Sequence, residues 1–148
     1  MRLATVGYDL NASDVVTYMT KGAFMIGDTT ADVLIGAGLN DVIQAGAGDD
    51  VLVGGGGGDG LLGGAGVDVF RYLAASDSTT GAVDTIFDFQ SGVDKLDLAA
   101  VRTGASDVLG TLASGGSSFV FVDLGGDGVV DMTLQLQNVT LANGDILF

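Results

Sequence analysis

A nine-residue period runs through the centre of this 148-residue chain. Five aspartates keep the spacing: Asp32, Asp41, Asp50, Asp59 and Asp68. A large apolar residue stands two positions after each of them: Leu34, Ile43, Leu52, Leu61 and Phe70. A period of nine fits neither the repeat of an amphipathic helix nor the alternation of a long strand. It fits a short turn followed by a short strand, so the sequence predicts repeats stacked as a solenoid.

Glycine marks the turns of these repeats. Of the 26 glycines, 14 lie between Gly27 and Gly66. Counted so that the aspartate is sixth, the best-formed repeats carry glycine at the first, second and fourth positions. We expect a positive φ there, with carbonyl groups that point inward. A flexible linker is the alternative for a glycine-rich segment, but a linker has no reason to keep an apolar residue in phase.

The composition restricts the chemistry. All 19 acidic residues are aspartates, and the chain has no His and no Cys. Oxygen atoms are therefore the available metal ligands, which favours Ca²⁺ or Mg²⁺ over transition metals. Without His, Cys or Glu the usual bases and nucleophiles of hydrolases are missing, so we expect no catalytic activity. The 5 basic residues are scattered, which argues against nucleic-acid binding, and no apolar run is long enough for a transmembrane segment.

The repeats resemble the calcium-binding nonapeptides of the RTX family, whose pattern is Gly-Gly-x-Gly-x-Asp-x-apolar-x. Residues 27–71 carry the resemblance, in stretches such as "GGGGGDGLL" and "GGAGVDVFR". It implies a parallel β-roll with two repeats per turn, in which repeat n stacks on repeat n+2. Neighbouring strands lie about 4.8 Å apart and Ca²⁺–oxygen bonds are about 2.4 Å long. A calcium ion therefore fits between successive turns, whereas Mg²⁺ is too small, and Ca²⁺ is the expected cofactor.

This stacking places Asp50 over Asp32, Asp59 over Asp41, and Asp68 over Asp50. Such pairs of like charge repel unless a cation lies between them. The best site should join Asp50 and Asp68, because the first two repeats depart from the glycine pattern. The residues predicted to form metal sites in the repeats are Asp32, Gly36, Gly38, Asp41, Gly46, Gly48, Asp50, Gly54, Gly55, Gly57, Asp59, Gly63, Gly64, Gly66 and Asp68.

After the repeats, "DTIFDFQSGVDKLDL" resembles the segment that follows the roll in serralysin-type secreted proteases and in the R-modules of secreted alginate epimerases. This resemblance implies that Asp84 and Asp88 supply a further calcium ligand; the capping of turns is an equally open interpretation. Farther on, Phe119 to Val122 is expected to form a hairpin with the alternating strand that begins at Met132. We interpret its connection, "DLGGDGVVD", as an acidic turn, with calcium binding as the alternative. Leu134 stands where an EF-hand loop requires Glu.

The sequence therefore predicts an all-β chain with three parts. Residues 1–26 form an N-terminal cap or the tail of a preceding domain, and within them Ala23 to Ile26 falls in phase with the repeats. Residues 27–71 form the parallel β-roll, a calcium-binding solenoid. Residues 72–148 form a C-terminal antiparallel β cap.

The family resemblance also implies a secreted, extracellular protein. The closing residues "GDILF" resemble the C-terminal signals of type I secretion substrates, so the type I secretion apparatus is an expected partner. The main hypothesis is a calcium-binding RTX module that folds on calcium binding outside the cell and supports type I secretion of its parent protein. The alternative is a carbohydrate-binding R-module attached to a polysaccharide-modifying enzyme. A net charge of -14 disfavours direct binding of a polyanion.

Overall fold

The computed structural model describes residues 15–17 and 22–148, so the predicted N-terminal cap lies mostly outside the described residues. The described residues form short strands and one 3-10 turn. The strands are β1 (Val15–Thr17), β2 (Phe24–Ile26), β3 (Val33–Ile35), β4 (Val42–Ala47), β5 (Val51–Val53), β6 (Gly60–Ala65), β7 (Val69–Arg71), β8 (Asp84–Ile86), β9 (Lys95–Asp97), β10 (Val108–Ser114), β11 (Ser117–Asp123), β12 (Met132–Leu136) and β13 (Ile146–Leu147). The 3-10 turn spans Ala75–Asp77.

Two sheets stack the repeats. One has the order β1-β3-β5-β7-β9-β13 and the other β10-β11-β12-β8-β6-β4-β2. Val33 lies opposite Val51 in the first sheet, and Val42 lies opposite Gly60 in the second. Each strand therefore pairs in parallel with the strand two repeats later, which confirms the predicted stacking. The in-phase segment before the repeats also forms a strand, since β2 pairs with β4.

The apolar residues of the repeats fill the space between the two sheets. Those two positions after each aspartate are fully buried, and the row continues beyond the repeats: Leu34, Ile43, Leu52, Leu61, Phe70, Ile86 and Leu96. Complete burial of such a side chain contributes about 1.5–3 kcal/mol. The row of apolar residues thus sets the register of the strands and, with it, the position of every turn.

The segment after the repeats extends the roll before it caps it. β8 pairs in parallel with β6, and β9 with β7, because Ile86 and Leu96 keep the apolar position of the repeat. β10, β11 and β12 then form an antiparallel meander, in which Val122 lies opposite Met132, so the predicted hairpin is confirmed. The cap is mixed rather than wholly antiparallel, since β12 joins β8 and β13 joins β9 in parallel. None of the described segments is a helix with the length and hydropathy that a membrane crossing requires.

Candidate metal centre

The aspartates form two columns, one along each edge of the roll. Turns 27–32, 45–50 and 63–68 follow one edge, and turns 36–41 and 54–59 follow the other. Each column ends with a carboxylate from beyond the repeats. The first column consists of Asp32, Asp50, Asp68 and Asp94, and the second of Asp41, Asp59 and Asp84. All of these side chains are buried, although an isolated buried carboxylate is costly.

Except in Asp32, whose Oδ1 has no partner among the described residues, one oxygen of each carboxylate accepts a backbone N–H of the preceding turn. The N–H of Asp32 donates to Asp50 Oδ1 at 2.7 Å, and the N–H of Asp50 donates to Asp68 Oδ1 at 3.0 Å. In the second column the N–H of Asp59 donates to Asp84 Oδ1 at 2.7 Å. Hydrogen bonds to an ionised acceptor are stronger than neutral ones. These hydrogen bonds fix the position of each carboxylate in its column. They leave Oδ2 free to accept another hydrogen bond or to bind a metal ion.

The residue at the second position of the turn determines whether Oδ2 has a hydrogen-bond partner. Where this residue is not glycine, its N–H donates to the carboxylate. Asp28 donates to Asp32 Oδ2 at 3.0 Å, and Ala37 donates to Asp41 Oδ2 at 2.9 Å. Asp41 is therefore satisfied on both oxygens, because its Oδ1 also accepts the N–H of Ala23, and it is a poor candidate for a metal ligand. This supports a weaker role for the second repeat. In Asp32 only Oδ2 is bonded, and Oδ1 is buried without a hydrogen-bond partner in the described part of the chain.

In the later repeats the second position is glycine. These residues are Gly46, Gly55 and Gly64, with φ of 113°, 88° and 99°. A positive φ, which glycine adopts without strain, turns the N–H away from the carboxylate. The Oδ2 atoms of Asp50, Asp59 and Asp68 are consequently buried without a hydrogen-bond partner. Because a buried polar atom without a partner is strongly unfavourable, these three oxygens are suited to binding a cation.

Glycine at the first position has a different role from the predicted one. We expected a positive φ there, but Gly36, Gly54 and Gly63 have none. A Cβ on Gly36 would lie 2.5 Å from Asp41 Oδ2, and a Cβ on Gly54 or Gly63 would collide with the carboxylate of its own turn. At these three positions glycine is needed for space, because the carboxylate folds back over the start of its turn. The third repeat has Ala45 at this position, so the requirement is not shared by every repeat. Glycine is not needed at all at Gly38, where a Cβ would meet open space.

Backbone carbonyl oxygens lie close to the neighbouring turn on both sides. The carbonyl oxygens of Gly46 and Gly48 lie against Gly64 and Gly66 of the following turn. In the opposite direction, the carbonyl oxygen of Gly54 lies against Gly36 of the preceding turn. Ca²⁺ takes 6–8 oxygen ligands of the carboxylate and carbonyl type. Among the described residues no three carboxylates converge on one point, so an ion between turns would need these carbonyls as well as the paired aspartates.

Burial raises the pKa of five of the column carboxylates. The pKa of Asp59 rises from 3.8 to about 7, that of Asp68 to about 6 and that of Asp84 to about 8. Backbone hydrogen bonds oppose this increase, and neighbouring carboxylates add to it. Burial is also the main cause of the raised pKa of Asp50 and Asp94. A bound cation would favour the ionised form of these carboxylates and so oppose the effect of burial.

The residues beyond the repeats divide between the columns and the turns. Asp84 is buried in the second column, whereas Asp88 accepts the N–H groups of Gly63 and Gly64 at 3.0 Å each, in the manner of a turn cap. Its metal role stays a prediction. Asp94 was missed by the sequence analysis. The signal that could have found it is the spacing of the repeat, since Asp94 stands two positions before the buried Leu96.

Exposed aspartates serve the turns. Asp49 accepts the N–H of Val67 at 2.8 Å across one turn of the roll. In the acidic connection between β11 and β12, Asp123 accepts the N–H groups of Asp127 and Gly128 at 3.1 and 2.9 Å. This geometry is that of a capped turn, the preferred interpretation of the segment.

Several solved structures share this fold. The AlgE6R2 subunit of the Azotobacter vinelandii mannuronan C5-epimerase matches with a TM-score of 0.59 and 26% sequence identity, over 84% of this chain and 91% of that one. The AlgE6R3 subunit of the same enzyme matches with a TM-score of 0.55 and 22% identity, over 99% of this chain and 82% of that one.

Proteases provide the sequence relatives. Serralysin A of Dickeya chrysanthemi is 60% identical over 35 residues, which are 24% of this chain and 7% of that protein. Metallopeptidase AprA of Pseudomonas marginalis is 42% identical over 75 residues, covering 42% of this chain and 16% of that protein. The chain thus corresponds to a small part of the length of these relatives.

The family assignment rests on a longer match. The family described as "Peptidase M10 serralysin C terminal" matches residues 11–123, which include all five repeats, both columns of aspartates and the start of the cap. The nonapeptide pattern and the parallel roll agree with this match. The chain belongs to the serralysin C-terminal family and is an RTX-type calcium-binding repeat module.

Proposed function

We propose that this chain is the calcium-triggered folding module of a larger secreted protein, and that it supports type I secretion of that protein. The observation that carries the proposal is the unpaired Oδ2 of Asp50, Asp59 and Asp68 in the gaps between glycine-rich turns. A bound ion would give each of these buried oxygens a partner. The module itself would have no catalytic role.

Calcium would supply positive charge that balances the carboxylates of the two columns. Without calcium, the folded chain must either protonate these carboxylates or bury them as charges that repel one another. Both alternatives cost free energy near neutral pH and oppose folding. A ligand at one to ten times its Kd stabilises the folded state by about 0.4–1.4 kcal/mol per site. Several sites together add a few kcal/mol, which is comparable to the net stability of a domain, about 5–15 kcal/mol.

The location of the calcium would give export its direction. In the calcium-poor cytosol the glycine-rich, acidic chain stays unfolded and can pass through a narrow channel. Outside the cell, calcium near 10⁻³ M is comparable to the Kd of extracellular modules, about 10⁻⁴–10⁻³ M. Folding on the outer side then prevents return. The secreted, extracellular location and the interaction of the C-terminus with the type I apparatus belong to this proposal.

Circular dichroism tests the folding step. The purified chain should show little β signal in excess chelator and gain it cooperatively when calcium is added, with magnesium at the same concentration as the control. A chain that is fully ordered in chelator would refute the proposal, and so would an equal response to magnesium. Secretion is tested separately, by measuring export of a passenger fused to this module from cells with and without a type I apparatus.

A second candidate function is polysaccharide binding. The structural neighbours are subunits of a mannuronan C5-epimerase, and the outer face of β11 carries a stacked aromatic pair, Phe119 and Phe121, with ring centroids 6.5 Å apart. Against a polyanion, the charge is unfavourable, and Arg71 is already paired with Asp97 at 2.9 Å. Titration with alginate oligomers and with neutral oligosaccharides at saturating calcium tests this function, with Phe121→Ala as the variant. No heat of binding for either class would exclude it.

A further inference from the structure

The last turn of the second column, residues 72–84, differs from the turns before it. β7 ends at Arg71, and Tyr72 takes the place that Gly36 and Gly54 take after β3 and β5. The turn is also longer, because 25 residues separate Asp59 from Asp84, whereas 18 separate Asp41 from Asp59. A large side chain therefore fits at a position where the short turns have no room for a Cβ.

Tyr72 is buried within this turn and its hydroxyl lacks a partner. The side chain is 1% exposed, and the hydroxyl lies beside the Asp84 carboxylate without forming a hydrogen bond of regular geometry. Burial, followed by the nearby carboxylates of Asp84 and Asp59, raises the pKa of Tyr72 well above its ordinary value. The phenol thus lies beside the end of the second column. Buried tyrosine hydroxyls usually find a hydrogen-bond partner, so this one points to something that the turn is built to hold.

The carboxylates beside Tyr72 also have oxygens without hydrogen-bond partners. Asp84 Oδ1 accepts the N–H of Asp59, but Asp84 Oδ2 and Asp59 Oδ2 are both buried without a partner. Three unpaired oxygens, two from carboxylates and one from a phenol, therefore lie near one another at the end of the second column. A hydrogen bond from the phenol to Asp84 would satisfy at most one carboxylate oxygen, whereas a hard cation satisfies all three at once.

Ser78 connects this turn to the cap. Its Oγ accepts the N–H of Asp84 at 2.8 Å, in the place that the next aspartate of the column would occupy. The same hydroxyl donates to the carbonyl oxygen of Thr133 in β12 at 2.6 Å. Asp84 is consequently held between the roll on one side and β12 on the other, and whatever fixes its carboxylate also fixes the cap.

We propose that Tyr72, Asp59 and Asp84 form a calcium site at the junction of roll and cap, with the neutral phenol oxygen of Tyr72 as a ligand. The proposal rests on calcium binding by the repeats and adds to it a site of different composition. Between the repeats, side-chain ligands come from aspartates alone; here a tyrosine replaces the first glycine of the turn. The ion at this junction docks β12 against the roll.

Terbium luminescence tests this proposal. Tb³⁺ is a hard cation that replaces Ca²⁺ at oxygen sites, and its emission is excited through a tyrosine only when the ring lies within a few ångströms. The chain has 3 tyrosines and no tryptophan, so the donor is identified by substitution. We expect Tyr72→Phe to lose most of the tyrosine-sensitised emission, while Tyr8→Phe and Tyr18→Phe retain it. Direct excitation of Tb³⁺ should still report ions between the repeats in all three variants.

A second variant covers the case in which Tyr72→Phe does not fold. Asp84→Asn keeps the tyrosine and an Oδ1 acceptor for the N–H of Asp59 but removes the carboxylate, so it too should lose the sensitised emission. Retained emission in Tyr72→Phe or in a folded Asp84→Asn would overturn the junction site, even if calcium still folds the roll. A wild-type chain that binds no Tb³⁺ and does not respond to calcium would instead overturn the proposed function.

Discussion

A single backbone N–H separates an aspartate that caps a turn from one that can bind an ion. Asp41 and Asp59 stand in the same column, yet Ala37 donates its N–H to Asp41 Oδ2, whereas Asp59 Oδ2 has no partner. The difference is Gly55, whose φ of 88° removes the donor. The repeat pattern predicted that the first two repeats are weaker, but not this reason, because a sequence does not show where an N–H points.

The ligand role of Asp50 can be separated from its structural role. Asp50→Asn keeps an Oδ1 acceptor for the N–H of Asp32 but replaces the unpaired Oδ2 with an amide nitrogen, which does not bind calcium. We expect the calcium midpoint of folding to rise by roughly tenfold or more, equivalent to about 1.4 kcal/mol. Calcium titration followed by circular dichroism measures it.

Asp49→Asn is the matched control for this substitution. It removes the same charge one residue away, but Asp49 is exposed and bonds only to the N–H of Val67. Its midpoint should stay close to that of the wild type. Equal shifts in the two variants would mean that net charge, rather than ligation, controls the calcium response.

At the scale of strands and turns, the RTX resemblance supplied the roll with two repeats per turn, whereas the nine-residue spacing by itself predicted stacked short turns and strands, because each repeat contains one turn and one buried apolar residue. That spacing did not extend to the last rung of either column. Asp84 and Asp94 follow their predecessors by 25 and 26 residues, since longer loops interrupt the period. Asp84 was proposed from a resemblance alone, and Asp94 was missed. β10 was also missed, because its exposed residues give no alternating pattern.

The buried columns predict an unusual pH dependence in calcium-free protein. The carboxylates of Asp68, Asp59 and Asp84 have folded-state pKa values of about 6, about 7 and about 8, all raised from 3.8. A raised pKa in the folded state means that it binds more protons than the unfolded state over this window. The contribution to stability is therefore complete below pH 3.8 and is lost as the pH rises through 6 to 8.

Circular dichroism of the calcium-free chain across this window checks the sign, because the folded fraction in chelator should be largest at the acidic end. Stability should fall with rising pH in the absence of calcium. With saturating calcium it should not fall, because the ion binds the deprotonated carboxylates. Asp107, whose pKa is lowered to about 2 by backbone hydrogen bonds from Gly125, Gly104 and Thr103, titrates below this window and does not contribute. Stability that rises with pH in chelator would contradict the assignment of buried, unpaired carboxylates.

For the whole molecule, the two-sheet arrangement makes it important whether the number of repeats before the cap is odd or even. Each repeat moves the chain from one sheet to the other, and the cap joins both sheets through β8 and β9. Deleting residues 45–53, one repeat, would transfer every later strand to the wrong sheet. Deleting residues 45–62, two repeats, removes one full turn and leaves the later strands in their sheets.

We therefore expect the larger deletion to be the less damaging one. The two-repeat deletion should still fold with calcium and protect the amides of β11 and β12 from hydrogen exchange, at reduced stability. The one-repeat deletion should leave those amides unprotected. Hydrogen exchange read by mass spectrometry distinguishes the two results, and equal protection in both variants would contradict the obligatory alternation of sheets.

The interior aspartates of each column touch two neighbours. Asp50 lies between Asp32 and Asp68, and Asp59 between Asp41 and Asp84. An ion that settles in one gap immobilises a side chain that the adjoining gap also requires, so the next ion meets a ligand whose ordering entropy is already lost. We therefore expect the response of the chain to rising calcium to be steep rather than graded, and steeper with each further turn of the roll.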